Sequence, residues 1–153
     1  MREPFTVSRT LPAVAKRTQR LAQAAYALHA ALEAQLHETL DELDLTMPLS
    51  DALWHLDPAS GPISRRMLAE RLRCDPSNVT YLVNRLEQRR LVSRTRAGDD
   101  RRVSALALTP VGIEARNRLI ATIAESRLFG ELTRSEQDQL IELLQRCTGA
   151  PAR

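Results

Sequence analysis

Apolar residues recur along this chain at intervals of three and four, the spacing that predicts amphipathic helices. The longest such segment comes first, and its apolar face is formed by Leu21, Ala25, Leu28, Leu32, Leu36 and Leu40. A shorter segment follows and contains the only tryptophan, Trp54. The pattern predicts helices at about residues 11–41, 46–56, 64–72, 75–88, 109–128 and from 133 onward.

Residues that favour helix N-termini stand directly before the last four of these segments. A serine, threonine or aspartate there accepts a hydrogen bond from a free backbone N–H, and proline fits the first helical position because it has no N–H to lose. A glutamate three residues after such a threonine completes a capping box. These signals are Ser64, Asp75-Pro76, Thr109-Pro110, and Thr133 with Glu136.

Between residues 88 and 109 the pattern changes to two short runs of β-forming residues. The runs at 91–96 and 103–108 are joined by a turn-favouring segment, so they predict a β-hairpin. Its basic residues are Arg94, Arg96, Arg101 and Arg102, and arginine suits phosphate, guanine edges and narrow minor grooves. Asp99 and Asp100 are best explained as carboxylates that hold an arginine in one orientation.

Helix, tight turn, helix and basic hairpin is the order of a winged helix-turn-helix, which delivers its second helix to the DNA major groove. The apolar positions of the first helix are Met67, Leu68 and Leu72, and those of the second are Val79, Leu82, Val83 and Leu86. The opposite face of the second helix carries Ser77, Thr80, Tyr81, Asn84 and Gln88, flanked by Asn78 and Arg85. Taken alone, this face is better explained as a solvated helix surface. The basic hairpin that follows it favours DNA binding.

The segment 64–112 resembles the winged-helix core of the multiple antibiotic resistance regulator (MarR) family. The matching motifs are Leu68-Ala69-Glu70-Arg71-Leu72, residues 77–86, Leu91-Val92, Asp100-Arg101-Arg102 and Leu108-Thr109-Pro110-Val111-Gly112. The resemblance extends weakly over most of the chain. It implies a homodimeric transcription regulator, often a repressor, whose DNA affinity is commonly tuned by a small phenolic or aromatic acid, by oxidation or, less often, by a metal.

On the matching positions, the resemblance places the recognition helix at 75–88. It places base contacts near Ser77, Asn78, Thr80, Tyr81 and Arg85, and the wing arginine at Arg102, oriented by Asp100. With the polar and basic residues beside them, the expected DNA-binding set is Ser64, Arg65, Ser77, Asn78, Thr80, Tyr81, Asn84, Arg85, Arg96, Asp100, Arg101 and Arg102.

Three positions depart from the family pattern. Tyr81 stands where an arginine is frequent, which exchanges a phosphate or guanine contact for an aromatic hydroxyl. Arg73 and Arg90 stand where glycine is common, one after each helix of the helix-turn-helix. A non-glycine residue with positive φ is disfavoured by roughly 1 kcal/mol, so Arg90 either bears that strain or ends its helix differently. These departures concern the target sequence rather than DNA binding itself.

The expected fold is mainly α with a small β-hairpin wing, in one domain over 1–153. The winged helix-turn-helix occupies 45–109, and helices at 10–42 and 110–149 flank it. These helices carry more apolar surface than one protomer can bury, so we expect a homodimer formed through both ends of the chain. The alternative is a monomer with a helical cap. A two-fold axis places two recognition helices about 34 Å apart, facing successive major grooves of an inverted repeat.

The net charge of +3 is unevenly distributed along the chain. Residues 64–102 hold 11 basic and 5 acidic side chains, a net charge of +6, which suits a phosphate-binding surface. No phosphate loop, metal-ligand grid or nucleophile motif is found, so we expect neither enzymatic activity nor a cofactor. No run is long enough to span a membrane, no signal-peptide pattern opens the chain, and the two cysteines follow no metal spacing. A cytoplasmic protein with reduced thiols is expected.

An effector would have most leverage between the winged helix and the flanking helices. Candidate pocket residues for a small aromatic or anionic ligand are Arg20, Tyr26, His29, Trp54 and His55. Trp54 is better explained as a core residue, because it carries a large apolar area. His29 and His37 lie about 80° apart around their helix, so they form no metal pair. Cys74 is explained as a small core residue, with an oxidation switch as the alternative.

Two classes of function remain. The first is a dimeric, sequence-specific DNA-binding regulator, which the polar recognition face and the pair Asp100–Arg102 favour. The second is a winged helix used for protein interaction or as a non-specific architectural DNA-binding module. The salt dependence of DNA binding tests the first, because each phosphate contact neutralised contributes about −0.9 to the log–log slope.

Overall fold

The computed structural model describes residues 13–96 and 104–149, except for the side chains of Arg96 and Ser104. Helices and strands follow the predicted order. They are α1 (Ala13–Glu42), α2 (Met47–His55), β1 (Ile63–Ser64), α3 (Arg65–Leu72), α4 (Pro76–Gln88), β2 (Val92–Arg96), β3 (Ser104–Leu108), α5 (Pro110–Glu125) and α6 (Arg134–Thr148). The predicted mainly α fold with a small sheet is confirmed.

The four predicted helix starts are confirmed by hydrogen bonds from the backbone to the capping side chain. These bonds join the N–H of Met67 to Ser64 at 3.1 Å, of Ser77 to Asp75 at 2.8 Å and of Gly112 to Thr109 at 3.0 Å, and Thr133 with Glu136 forms a complete capping box. The one displaced boundary is the end of α5, which stops at Glu125 and is followed by a single 3-10 turn at Arg127–Phe129.

The sheet has three antiparallel strands in the order β1-β3-β2. Strands β2 and β3 are the predicted hairpin, with Arg94 opposite Leu106 in the register. Strand β1 was not predicted. It consists of two residues, Ile63 and Ser64, and pairs with β3. A segment this short has no alternating pattern of its own, so only its tertiary partner makes it a strand.

The core lies where α2, α3, α4, α5 and the C-terminal part of α1 meet the sheet. The predicted apolar stripe of α4 is confirmed, because its four members are all buried. Two predictions about large side chains are wrong. Met67 is 44% exposed, since it lies on the outer side of α3 beside the buried Leu68. Trp54 is 42% exposed, because Leu53 rather than Trp54 points from α2 into the core.

Three helix ends have a non-glycine residue with positive φ. Asp44, Arg73 and Arg90 have φ values of 51°, 50° and 58°. After α4, the N–H of Leu91 donates to the carbonyl of Leu86 at 2.9 Å, and the N–H of Arg90 donates to that of Glu87 at 2.9 Å. This pair of bonds is a Schellman motif, which requires a left-handed residue at the position of Arg90. Arg90 therefore bears the strain rather than ending the helix differently.

Apolar side chains on both flanking segments remain exposed in the protomer. Of the six residues on the predicted face of α1, only Leu36 and Leu40 are buried. Helix α6 has no buried residue, although it begins with the predicted capping box. The exposed large apolar residues of the two helices are Val14, Leu21, Tyr26, Ile141, Leu143 and Leu144.

Candidate nucleic-acid interface

The outer face of α4 is exposed along its whole length. Because its stripe of buried residues faces the core, the turn of about 100° per residue directs the opposite face to solvent. That face consists of Ser77, Tyr81, Asn84 and Gln88, all exposed, with Asn78 and Arg85 exposed beside it. Tyr81 is 60% exposed and its ring stands in the middle of the face. The predicted recognition helix is therefore presented to the exterior.

The hydroxyl groups at the start of α4 already have partners within the helix. Thr80 Oγ1 donates to the carbonyl of Pro76 at 3.1 Å, so this hydroxyl has only acceptor lone pairs left for another molecule. The side chain and the backbone of Ser77 donate to Asp75, and these bonds lower the pKa of Asp75. The N-terminus of α4 is thus held by an ionised carboxylate.

Arg94 joins the hairpin to α4. Its Nη2 donates to Glu87 Oε2 at 2.8 Å and to Asn84 Oδ1 at 3.2 Å. The charge of Arg94, which the sequence assigned to the basic hairpin, is therefore paired. Glu87 was not among the predicted residues. Because Asn84 and Glu87 are three apart on one helix face, a search for acids facing the hairpin would have found the pair.

The tip of the wing lies outside the described residues. This applies to Asp100, Arg101 and Arg102, and to the side chain of Arg96, whose backbone is the last residue of β2. The pairing of Asp100 with Arg102 stays a prediction.

Ser64 and Arg65 lie where β1 passes into α3. Ser64 Oγ accepts the N–H of Met67, so this residue caps α3 in addition to any role at DNA. Arg65 is exposed at the first position of the helix. A helix N-terminus with an exposed arginine suits a phosphate contact, because unpaired backbone N–H groups add positive potential there.

The predicted effector residues are only partly brought together. Histidines on α1 and α2, His29 and His55, both act on the carboxyl of Asp51, which was not among the predicted residues. Burial raises the pKa of Asp51, and the two histidine charges oppose that rise. Arg20 lies about 13 Å before His29 along the axis of α1, so it is not part of this group. Tyr26 is exposed on α1.

His55 is the best-fixed member of this group. Its carbonyl accepts a hydrogen bond from Arg71 Nη1 at 2.8 Å, which links α2 to α3. Burial lowers the pKa of its imidazole, Asp51 opposes that change, and the charge of Arg71 adds to it. The position of Asp51, four residues before His55 on α2, is the signal that sequence reasoning overlooked.

The larger of two described cavities lies elsewhere, between the end of α1, the end of α4 and the start of α5. It has a volume of about 360 Å³ and is lined by Glu42, Leu43, Asp44, Arg89, Leu91, Val111, Glu114, Ala115 and Arg118. Ion pairs join Arg118 to Glu42, and Arg89 to Asp44 at 2.8 Å. A second cavity, of about 140 Å³, lies between Leu56 and Leu108. Neither is lined by a predicted effector residue.

The two cysteines are free thiols in the described part of the chain. Cys74 is half-buried against the core, as expected for a small apolar residue, and Cys147 is exposed. Among the described residues, no group of His, Cys, Asp and Glu side chains could hold a metal ion. The described helices also include none that is long and apolar enough to cross a membrane.

A family comparison agrees with this geometry. Residues 43–103, which include α2, α3, α4 and β2, match the model of the MarR family. The chain is thus similar to the MarR family over its winged-helix segment. The HTH-type transcriptional regulator YkoM of Bacillus subtilis (strain 168) is 32% identical to it over 101 residues, which are 65% of this chain and 66% of YkoM. The HTH-type transcriptional repressor MdtR of the same organism is 44% identical over 52 residues, 34% of either protein.

The chain thus spans just under two thirds of YkoM and about one third of MdtR. Both of these relatives are named as transcriptional regulatory proteins of the HTH type, YkoM as a regulator and MdtR as a repressor.

Solved structures extend the similarity to the flanking helices. The reduced form of MarR from E. coli has a TM-score of 0.67 and 21% identity, covering 94% of this chain and 100% of that one. Transcriptional regulator PA3341 has a TM-score of 0.70 and 26% identity, covering 86% and 95% of the two chains. A mutant E. coli MarR complexed with operator DNA has a TM-score of 0.67 and 22% identity, covering 86% and 94%. The fold of the MarR family therefore includes α1 and α6.

Proposed function

We propose that this protein is a sequence-specific DNA-binding transcription regulator that acts as a homodimer. The observation that carries the proposal is the outer face of α4. It is polar and exposed, while the opposite face is buried in the core. Arg85 on this helix and Arg65 at the start of α3 supply positive charge beside it. The solved complex of a similar fold with operator DNA supports the same use of this surface.

The dimer is supported by the apolar residues that one protomer leaves uncovered. Leu143 is 53% exposed, and Ile141 and Leu144 are exposed on the same helix, although α6 begins with a capping box and is a regular helix. Leu21 is similarly exposed on α1. Apolar residues grouped on a helix are stabilised when a partner covers them, so we infer that a second copy does so. Two-fold symmetry then implies an inverted repeat in the operator.

Repression is the regulatory mode we favour. MdtR, which is named as a repressor, is 44% identical over a segment of 52 residues. Because that segment is about one third of either protein, it supports repression without extending to a ligand or to target genes.

We also propose that an effector binds near Trp54, His29 and His55, where α1 approaches α2. Trp54 offers an exposed aromatic ring, and the neighbouring Asp51 carboxylate disfavours an anion. An aromatic ligand is therefore favoured over a purely anionic one. Trp54 is the only tryptophan, so its fluorescence reports binding directly. Saturable quenching by phenol supports this site, and unchanged emission contradicts it.

The test of DNA recognition is a selection of genome fragments by purified protein at two salt concentrations, read by sequencing. An inverted repeat with half-sites about one helical turn apart is expected. Affinity should fall steeply with salt, with about −0.9 in the log–log slope per phosphate contact. Enrichment of no common sequence, or salt-insensitive binding, would favour the architectural or protein-interaction function instead.

A further inference from the structure

The amide of Asn84 on the exposed face of α4 has an orientation set by an arginine. Arg94 Nη2 donates to Asn84 Oδ1 at 3.2 Å. An arginine side chain has only donors, so the amide atom facing it must be the oxygen. The amide nitrogen keeps both of its N–H donors for another molecule, whereas the oxygen keeps one of its two lone pairs.

Arg94 is itself fixed, so this orientation is maintained. The same Nη2 donates to Glu87 Oε2 at 2.8 Å, and a hydrogen bond between two charged groups is stronger than one between neutral groups. Glu87 is half-buried, whereas the Arg94 side chain is 44% exposed. Arg94 also lies opposite the buried Leu106 in the β2–β3 pairing. Arg94 thus links the strand to two residues of the helix.

A second amide on this face has the same arrangement. Arg85 Nη1 donates to Gln88 Oε1 at 3.4 Å, so the oxygen of Gln88 is also turned toward an arginine. Gln88 lies one turn after Asn84, and Tyr81 lies nearly one turn before it. The exposed face therefore offers hydrogen-bond donors from both amides.

We propose that Arg94 is a positioning residue: by orienting the amide of Asn84, it makes Asn84 recognise guanine in the major groove. The major-groove edge of guanine presents hydrogen-bond acceptors to the amide donors. Guanine presents O6 and N7, two adjacent acceptors. Asparagine pairs with adenine through one donor and one acceptor, and here one of the two lone pairs of that acceptor is already engaged by Arg94, whereas both N–H donors are free. Cytosine presents only the N4 donors and is disfavoured. This inference rests on the proposed function, because it assigns a base to a sequence-specific regulator.

The experiment is a binding-site selection with the full-length protein and four variants. Asn84→Ala identifies the base pair that Asn84 reads, since preference is lost there alone. The wild type should favour guanine over the other bases at that position by about 5- to 100-fold. Asn84→Asp keeps an acceptor for Arg94 but presents only oxygens to DNA, so its preference should change to cytosine. Asn84→Asp retains an acceptor for Arg94, and a circular dichroism spectrum like that of the wild type is expected for it.

The role of Arg94 is tested by Arg94→Met and its conservative partner Arg94→Lys. Without donors at position 94 the amide rotates freely, so Arg94→Met should accept adenine about as well as guanine, whereas Arg94→Lys retains the preference for guanine. A uniform loss of affinity in Arg94→Met, with the preference unchanged, would show a merely structural role.

Three further results would overturn the inference while leaving the proposed function intact: adenine preferred by the wild type at the Asn84 position, no position altered by Asn84→Ala, or no cytosine preference in Asn84→Asp. If the wild type enriches no sequence at all, that result contradicts the proposed function itself.

Discussion

Charged residues occupy left-handed backbone positions that glycine would occupy at lower cost. At Asp44 the strain is partly offset, because Arg89 donates to both its carbonyl at 3.0 Å and its carboxylate at 2.8 Å. Arg73 differs, since no hydrogen bond or ion pair of its side chain is found within the described part of the chain. Replacing Arg73 by glycine should therefore relieve the backbone strain without breaking a side-chain contact.

We expect Arg73→Gly to raise the free energy of unfolding by about 1 kcal/mol, because a left-handed conformation costs an L-residue about 1–2 kcal/mol and glycine gives back part of this as entropy of the unfolded chain. Urea unfolding at a fixed protein concentration measures it. Arg73→Ala is the matched control: it removes the same side chain but keeps the strain, so it should give no gain. Equal stabilisation by both variants would assign the effect to charge instead.

His55 makes stability depend on pH. Burial lowers the pKa of the folded imidazole below its ordinary value of 6.5, so the folded protein binds the proton less tightly than the unfolded chain. The stabilisation is present above that value and is lost as the pH falls through the lowered pKa. His55→Gln should therefore lose less stability than the wild type between pH 8 and pH 5.5, measured by urea unfolding. Parallel losses in the two proteins would show that His55 titrates normally.

At the scale of elements, the sequence predicts a helix boundary correctly wherever the signal for that boundary is local. Ser64, Asp75 and Thr133 start helices through bonds to residues two or three positions away, so their types alone identify the boundary. Strand β1 and the link from Arg94 to Glu87 depend on partners in other elements, and a single sequence does not record them. The prediction that Trp54 is buried was wrong for a related reason. Its hydrophobicity favoured burial, but the orientation of α2 directs Leu53, rather than Trp54, into the core.

Helix α5 packs closely against the end of α4 at a glycine. A Cβ added to Gly112 would lie 1.9 Å from the carbonyl oxygen of Leu91, a backbone atom that cannot move aside. That carbonyl also accepts the N–H of Thr109 at 3.0 Å, so displacement of α5 would break the bond that ties it to the end of α4.

Gly112→Ala should therefore lower the free energy of unfolding by about 1–3 kcal/mol, the usual cost of overpacking. The matched control is Gly130→Ala, where φ is −70° and the nearest atom to a new Cβ, the Arg127 carbonyl oxygen, is 3.5 Å away. It should be neutral or slightly stabilising. An equal loss in both variants would mean that α5 does not approach Leu91 this closely.

At the scale of the whole molecule, the chain combines a self-sufficient core with two incompletely packed helices. The core around Leu53, Leu68, Leu86, Leu106 and Leu119 belongs to the winged helix and its immediate supports. Helix α6 contributes nothing buried to it. The core that supports α4 is thus formed within one protomer, whereas in the proposed dimer the spacing between two such cores depends on the helices that the partner would cover.

The double variant Leu143→Glu and Leu144→Glu tests that dependence. Both side chains are exposed in the protomer, so the substitutions should change the free energy of unfolding of one chain little. In a dimer interface formed by α6 they would bury two charges, which is unfavourable. We expect light scattering to show monomers and circular dichroism to show an unchanged helix content. Binding to a full inverted repeat should weaken by at least about tenfold, because two linked half-sites are no longer engaged together.

Met67→Gln controls for the loss of an exposed apolar side chain outside the proposed interface, and it should leave the dimer intact. Binding to a single half-site separates the two causes of weakened DNA binding. If the double variant binds a half-site as the wild type does, only the coupling has been lost, as a dimer held by α6 requires. A double variant that remains dimeric would show that the exposed residues of α1 form the interface without α6, and that the spacing of the recognition helices is set there.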